Sequence, residues 1–516
     1  MNNLGNVIDE STPFAFVFRA AIKTPIALHD YVVVDINEPI GDESETVVVL
    51  GEVVGMGSKN PAITEKLIGA PMQIYSYKLV RVEILGYMAD GVIRHPKAAP
   101  DPGAIVYKAD DQTLQSYFSG VEKDLPIYVG TLMNRPGVKV PIHLQGLQFH
   151  AAILGATRSG KSFLSGAVVE QILMEGFSVV MIDMHADYVH LDKLASGQKH
   201  NKFRTTVYYP AGTPKIDGIT AETKELSLSF GNMPIDGIVE LLGQTIGERQ
   251  IIVFKKIIRE LKAGKAPFGI ENVIEIVKAR LAEQDPDDGS YKLRGDDRSR
   301  YEGLLDRLED LESDIELSPE GVSMSDIVQP GKLSVICLNG VQSRLQDATT
   351  SILIDQIFRY LVSLRGKAEE VPTFLFIEEA HRVASPKASA YSVKAISTAI
   401  REGSKFGLFM GLISQRPRSI DSDVLANVGN FAVLRITNPE DQRMIEDAGE
   451  SFSKRLTEDL PSLNQGEAVL VGPWVPLPAH IKTLPRVTKH GGITPNLREK
   501  QKRLNEFKEK REEAKW

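Results

Sequence analysis

The sequence predicts an α/β protein: a domain on a parallel sheet, carrying a helical insertion and preceded by a small N-terminal β-barrel domain. Three observations predict it. A glycine-rich loop, Gly155-Ala156-Thr157-Arg158-Ser159-Gly160-Lys161-Ser162, lies between an apolar strand and an apolar helix. All-apolar runs that end in carboxylates follow it, Ser178 to Asp183 and Thr373 to Glu379. Residues 1 to about 145 consist of β-branched segments separated by Gly, Pro, Asn and Asp clusters.

In the N-terminal part, Tyr31–Ile36, Thr46–Val54 and Tyr75–Leu85 read as strands. Val80, Val82 and Ile84 alternate with Arg81 and Glu83, the period of a half-buried strand. No catalytic constellation occurs here, so an assembly or docking module is expected over 1–125. A Pro-rich linker, His95 to Gly103, leads towards the parallel-sheet domain.

The glycine-rich loop matches G-x-x-x-x-G-K-[ST] in the strand-then-helix context that the motif needs. Gly155 and Gly160 let successive N–H groups turn inward at a helix N-terminus, where the dipole also favours an anion. Gly155 to Ser162 are therefore the expected nucleotide-binding residues, with Lys161 on the β and γ phosphates and the Ser162 hydroxyl on Mg2+.

Ser178–Asp183 reads as a central strand buried on both faces, and Met184-His185-Ala186-Asp187 follows at its carboxyl end, where open α/β sheets bind ligands. Asp183 and His185 either approach the nucleotide there or serve as a capping Asp and a loop His. Residues 232–318 turn helical and charged. Leu304, Leu305, Leu308, Leu311 and Ile315 form one apolar stripe, and the acidic loop from Gln284 to Ser290 reads as a solvated turn.

The sheet resumes at Lys332 and again at Thr373-Phe-Leu-Phe-Ile-Glu378-Glu379. Two carboxylates at a strand end make the second half of a nucleotide hydrolase site: Glu378 is assigned to the metal side and Glu379 to the general base. The strand Gly407–Ser414 ends at Gln415, placed to bond the γ-phosphate or the attacking water. Arg401, on the helix between those strands, is either an arginine finger or a surface charge paired with a neighbouring acid. Residues 473–516 read as an extended arm, Gly472-Pro-Trp-Val-Pro-Leu-Pro, and a mixed-charge helix from Leu497.

Composition narrows the class. With 516 residues and 42% apolar content the chain suits two or three soluble domains. No apolar run reaches a bilayer span, and no basic start with an apolar core opens the chain, so no membrane partner and a cytoplasmic location are expected. The single cysteine, Cys337, excludes a disulfide framework and a Cys-based metal cluster. A net charge of -8 argues against a surface coated for nucleic acid while leaving room for a local basic channel.

These motifs together resemble the HerA/FtsK group of hexameric ATPases, HerA most closely. The resemblance spans nearly the whole chain and rests on Tyr128-Val-Gly-Thr-Leu, the phosphate loop, Asp183-Met-His-Ala-Asp-Tyr188, Ile377-Glu-Glu-Ala-His381, Arg401-Glu-Gly-Ser-Lys-Phe-Gly407 and Ser414-Gln-Arg-Pro417. It implies a RecA-like P-loop core, divided here as 126–231 and 319–472, behind a HAS-barrel-like domain. It further implies a homohexamer that uses ATP and Mg2+ to pull duplex DNA through a central pore, working with a nuclease or a sirtuin-like defence effector. An assembly ATPase that scaffolds and gates its effector is the alternative; a small-molecule kinase fits the paired glutamates poorly. Three departures stand out: Arg158 and Ser404 occupy positions where the group usually has glycine and often a second arginine, and Glu378 replaces the commoner Asp.

Overall fold

The computed structural model describes residues 2–8, 11–41, 43–60, 76–119, 125–231, 233–243, 246–264, 266–286, 290–314, 317–318, 321–449 and 452–491, with isolated positions after 497. Ile315, part of the acidic loop and most of the tail from Leu497 lie outside them.

The N-terminal strands close on themselves. Around the barrel, Ala15–Ala21 is followed by Asn3–Val7, Ile105–Lys108, Tyr31–Ile40, Glu43–Lys59 and Tyr77–Ala89, each pairing with the next, and Tyr77–Ala89 pairs back onto Ala15–Ala21. Every one of these pairings is antiparallel. Closure leaves these strands no open edge, and the alternation read in the sequence puts Val80, Val82 and Ile84 inside.

The second sheet is a RecA-like P-loop sheet. Its parallel part runs Glu222–Leu226, Arg204–Pro210, Lys332–Cys337, Ser178–Asp183, Thr373–Ile377, Leu408–Ser414, Ala151–Leu154 and Asn430–Leu434. Four antiparallel strands extend it: Glu467–Val471, Ala479–Thr483, Pro126–Leu132 and Arg135–His143. Residues of the central strands are buried on both faces, as their unbroken apolar runs require. Helices Ile235–Leu242, Glu248–Ala263, Ile270–Ala282 and Gly295–Asp314 form the insertion, with Leu304, Leu308 and Leu311 buried at helical spacing.

The segment expected to be an extended arm differs. From Val475, alternate residues Val475, Leu477, Ala479 and Ile481 are buried, and Ala479–Thr483 is an inner strand of the large sheet. The prolines exclude helix as expected, but five residues between proline-rich and charged stretches are too short a strand signal to stand out. Trp474 anchors the turn, giving its backbone N–H to Asn430 Oδ1 at 2.8 Å. Gly146 lies against it so closely that a Cβ there would come within 2.4 Å of Trp474 Cα.

The barrel is not a separate bead. Tyr31, Val33 and Leu50 share one apolar core with Leu114 and Phe118 of helix Asp111–Phe118 and with Ile127, Leu470 and Ile481 of the large sheet.

Candidate nucleotide site

Four neighbouring parallel strands present their carboxyl ends side by side, with Leu154 opposite Ser414, Ile377 opposite Leu412 and Ile182 opposite Ile377. The phosphate loop, Gln415, the glutamate pair and Asp183 with His185 therefore arise from adjacent strand ends. A cavity of about 880 Å³ lies among them, lined by Thr157, Arg158, Lys161, Ser162, Glu378, Glu379 and Gln415. That volume lies in the range of small-molecule pockets.

Gly155 donates its N–H to Ser414 O at 3.2 Å, and Ala156 donates to Arg435 O at 2.9 Å, fixing the start of the loop between its two neighbours. Gly160 takes φ 111°, a conformation open to glycine, and starts helix Lys161–Met174. Arg158 has φ 64°, the left-handed region; an arginine stands where a glycine would pay less, and the loop keeps its turn at a cost of about 1–2 kcal/mol. Lys161 Nζ donates to Ala156 O at 3.1 Å. Burial lowers the Lys161 pKa, against Glu379, Glu378 and Asp187, which raise it.

Glu378 and Glu379 differ sharply. Glu378 is buried; its Oε2 accepts from Met184 N at 2.9 Å and His185 N at 3.1 Å, and its Oε1 lies 3.1 Å from His185 Nδ1. That contact with Glu378 raises the His185 pKa to about 9, burial opposing it. Glu379 has φ 50°, a strained backbone of the kind that clusters at functional sites, and its Oε2 lies 3.1 Å from His381 Nδ1. Burial alone would raise its pKa; His381, Lys161 and His185 outweigh that and hold it below the usual carboxylate value, so Glu379 is ionised at neutral pH.

Gln415 Oε1 accepts from Thr157 Oγ1 at 2.6 Å, which ties the end of one strand to the phosphate loop of the next. Asp183 accepts from His185 N, Asp187 N and Tyr188 N at 3.2, 3.1 and 2.9 Å, so it caps the turn that carries His185 and Asp187 to the cavity wall. Burial and the adjacent Glu378 push its pKa well up. Arg401 is exposed in the last turn of helix Ala390–Glu402, away from this cavity, and makes no ion pair among the described residues.

The C-terminal segment was not expected here. Arg486 is buried and donates to Ser162 O at 3.2 Å and Thr488 Oγ1 at 3.0 Å, while Glu170 of the phosphate-loop helix accepts from Val487 N and Thr488 N. His490 and Gly491 thereby reach the cavity wall. Only the buried carboxylate Glu170 in an otherwise apolar helix hinted at a partner for it.

Beyond Glu379, Arg382 is tied inward by Gln346 Oε1 at 2.5 Å and Asp347 at 3.4 Å. Lys387 and Lys394 are exposed and border a second cavity of about 930 Å³ beside helix Ile235–Leu242.

The family model described as the helicase HerA, central domain, matches residues 127–357, the stretch that holds the phosphate loop. The chain is a HerA-like P-loop ATPase. It is 27% identical over 499 residues to the DNA double-strand break repair helicase HerA of Saccharolobus solfataricus, covering 93% of this chain and 91% of that one. To the protein of the same name from Sulfolobus acidocaldarius it is 26% identical, over 81% of this chain and 80% of that one. Among solved structures, VirB4 of Thermoanaerobacter pseudethanolicus is 16% identical with a TM-score of 0.48, over 70% of this chain and 96% of that one.

Proposed function

We propose that this HerA-like ATPase is a motor that hydrolyses ATP to move along or unwind duplex DNA, as a homohexamer with the DNA in its central pore. The observation that carries the reading is the convergence of Lys161, Ser162, Glu378, Glu379 and Gln415 on one cavity from adjacent strand ends. The relatives named for DNA repair helicase activity support its substrate.

Residues Gly155 to Ser162 hold the phosphates by backbone N–H groups and the Lys161 ammonium. The donors facing the cavity near the phosphate loop include the Ser162 hydroxyl and carboxylate oxygens, the donor set that Mg2+ prefers, so the residues fit the ion. When bound, Mg2+ would neutralise the charge that develops on the phosphates. Glu378, with its oxygens already taken by two amides and His185, suits a place in the hydration shell of the ion more than direct ligation. Glu379, ionised and at the cavity, orients and deprotonates the attacking water. Gln415, held by Thr157, bonds the γ-phosphate or that water and links its state to the loop. Arg401, solvent-facing in one subunit, completes the neighbour's site. Lys387 and Lys394 contact DNA phosphates without reading sequence. A nuclease or sirtuin-like effector, captured through the barrel in the cytoplasm, completes the assembly.

The test is ATP turnover with and without duplex DNA. Stimulation by DNA, falling with salt and weakened in the Lys387→Ala, Lys394→Ala double variant, is expected. Turnover indifferent to DNA but raised by an effector protein would favour the assembly ATPase instead.

A further inference from the structure

Where the barrel meets the ATPase core, two histidines and two carboxylates are packed into a buried box. His29 and Glu52 come from the barrel, His480 from the strand Ala479–Thr483 and Asp459 from helix Lys454–Asp459. Glu52 and His480 are essentially inaccessible, and His29 is 7% exposed. The imidazole rings lie face to face, 3.8 Å between centroids and tilted by 31°. Glu52 Oε1 is 2.8 Å from His29 Nδ1 and 3.2 Å from His480 Nδ1. On the far side, Asp459 Oδ2 is 3.3 Å from His480 Nε2 and 4.0 Å from His29 Nε2.

This arrangement poses a donor problem. A neutral imidazole has one N–H and one lone pair. His480 faces a carboxylate oxygen at both nitrogens, so a neutral ring would set one lone pair against a negative oxygen, whereas His29 faces one closely only at Nδ1. One extra proton, on His480, would answer it, leaving an imidazolium stacked 3.8 Å from the neutral His29 ring in a dry site. Arg455 meets the carboxylates from outside the ring pair, with Glu52 Oε2 at 3.1 Å, Glu83 Oε2 at 2.6 Å and Asp459 Oδ2 at 3.6 Å, and reaches neither imidazole nitrogen. The contacts of His480 also lie off the line that a hydrogen bond needs: neither ring nitrogen has a hydrogen-bond partner despite the short separations.

A single divalent cation resolves both points. We propose that His29 Nδ1, His480 Nδ1 and Glu52 Oε1 form a binding site for a transition-metal ion of the zinc type, which clamps the barrel to the ATPase core. The three donor atoms lie within 4.8 Å of one another. Ligands at about 2.0–2.2 Å around a tetrahedral zinc stand on the order of 3.3 Å apart, against 2.8 and 3.2 Å from Glu52 Oε1 to the two Nδ1 atoms. Asp459 at the Nε2 side is then the carboxylate that orients a metal-bound histidine, and Arg455 holds the free oxygen of Glu52, so the ligands are supported from behind as in protein metal sites. Two nitrogens and one carboxylate oxygen favour zinc, cobalt or nickel over magnesium or calcium. The site is separate from the nucleotide cavity, with which it shares no residue.

The test uses the full-length protein stripped with chelator, without nucleotide or magnesium, titrated with Co2+ and then Zn2+. One equivalent of Co2+ should bind and give the visible absorption of a tetrahedral nitrogen–oxygen site, and one equivalent of Zn2+ should displace it. His29→Gln and His480→Gln should each abolish that spectrum, and Asp459→Asn should weaken binding about 10–100-fold, as loss of an orienting carboxylate does. Because His29 belongs to the barrel, its loss cannot act through the nucleotide site. Should a variant fail to fold, the wild-type spectrum and stoichiometry still decide. A wild-type protein that stays folded yet binds no Co2+ at micromolar concentration overturns the proposal, as does a spectrum unchanged in a folded His29→Gln variant; the box is then an ion-pair network alone.

Discussion

The nucleotide cavity and the joint between barrel and core both gather charged side chains, but they do so in opposite ways. In the cavity, the residues follow the ends of adjacent strands, and the parallel register delivers Lys161, Glu378, Glu379 and Gln415 to one edge. Lys161, Ser162 and Gln415 keep part of their surface open, so charge there is available for chemistry. At the joint, His29, Glu52, Arg455, Asp459 and His480 meet from four separate stretches, and nearly all their polar atoms face one another. Charge of the first kind serves a ligand, whereas charge of the second kind must be balanced within the fold. Changing a residue should therefore cost activity in one region and stability in the other.

The largest effect expected is at the cavity. Lys161→Ala should abolish ATP turnover, and Glu379→Gln should keep ATP bound but unhydrolysed, both with a melting temperature close to wild type; near-normal turnover in Glu379→Gln would remove the base assignment. Arg401→Ala should bind ATP and lose turnover by roughly a thousandfold or more if it serves the neighbouring subunit. Mixing it with Lys161→Ala subunits should then restore activity; no recovery under proven subunit exchange would mean that Arg401 works in cis or merely holds the structure, and would make Lys405 or Arg416 the better finger candidate.

At the joint the readout changes to denaturant unfolding. Arg455→Met leaves Glu52 and Asp459 without their guanidinium and should cost about 3 kcal/mol, measured in urea. Equal loss of stability in Lys161→Ala would erase the contrast between the regions.

A pH-dependent effect of similar size belongs to His150, at the foot of the phosphate-loop strand. Its Nε2 donates to Ile400 O at 2.6 Å, and its Nδ1 accepts from Met410 N at 3.0 Å, a pair that requires the neutral ring. Burial lowers its pKa from 6.5 to about 4. The unfolded chain thus takes up a proton below about pH 6.5 that the folded chain refuses, and stability should fall by about 3 kcal/mol as pH drops from 6.5 to 4. His150→Gln should flatten that part of the profile; an unchanged slope would assign the loss to other groups. The smallest effect is Arg158→Gly, which relieves the left-handed strain and should stabilise by about 1 kcal/mol or less with nucleotide binding retained. Loss of binding there would mean that the guanidinium itself holds the phosphates.

The sequence alone determined the β-barrel, the parallel core and which residues line its cavity, because those signals are local. The phosphate loop is eight consecutive residues, the glutamate pair ends a five-residue apolar strand, and the barrel strands alternate with period two. Roles within the site were less open to reading: that Glu378 turns inward to two amides and His185 while Glu379 takes a strained backbone at the cavity follows from the turn after the strand. Only the tertiary structure decided where residues 473–491 go, since a strand of five residues between prolines and charges becomes legible when Glu467–Val471 and Pro126–Leu132 flank it. It alone also brought His29 and Glu52 to His480, more than four hundred positions away. Such contacts depend on chain closure over long loops, and no periodicity or spacing within the sequence encodes which distant polar side chains will be buried together.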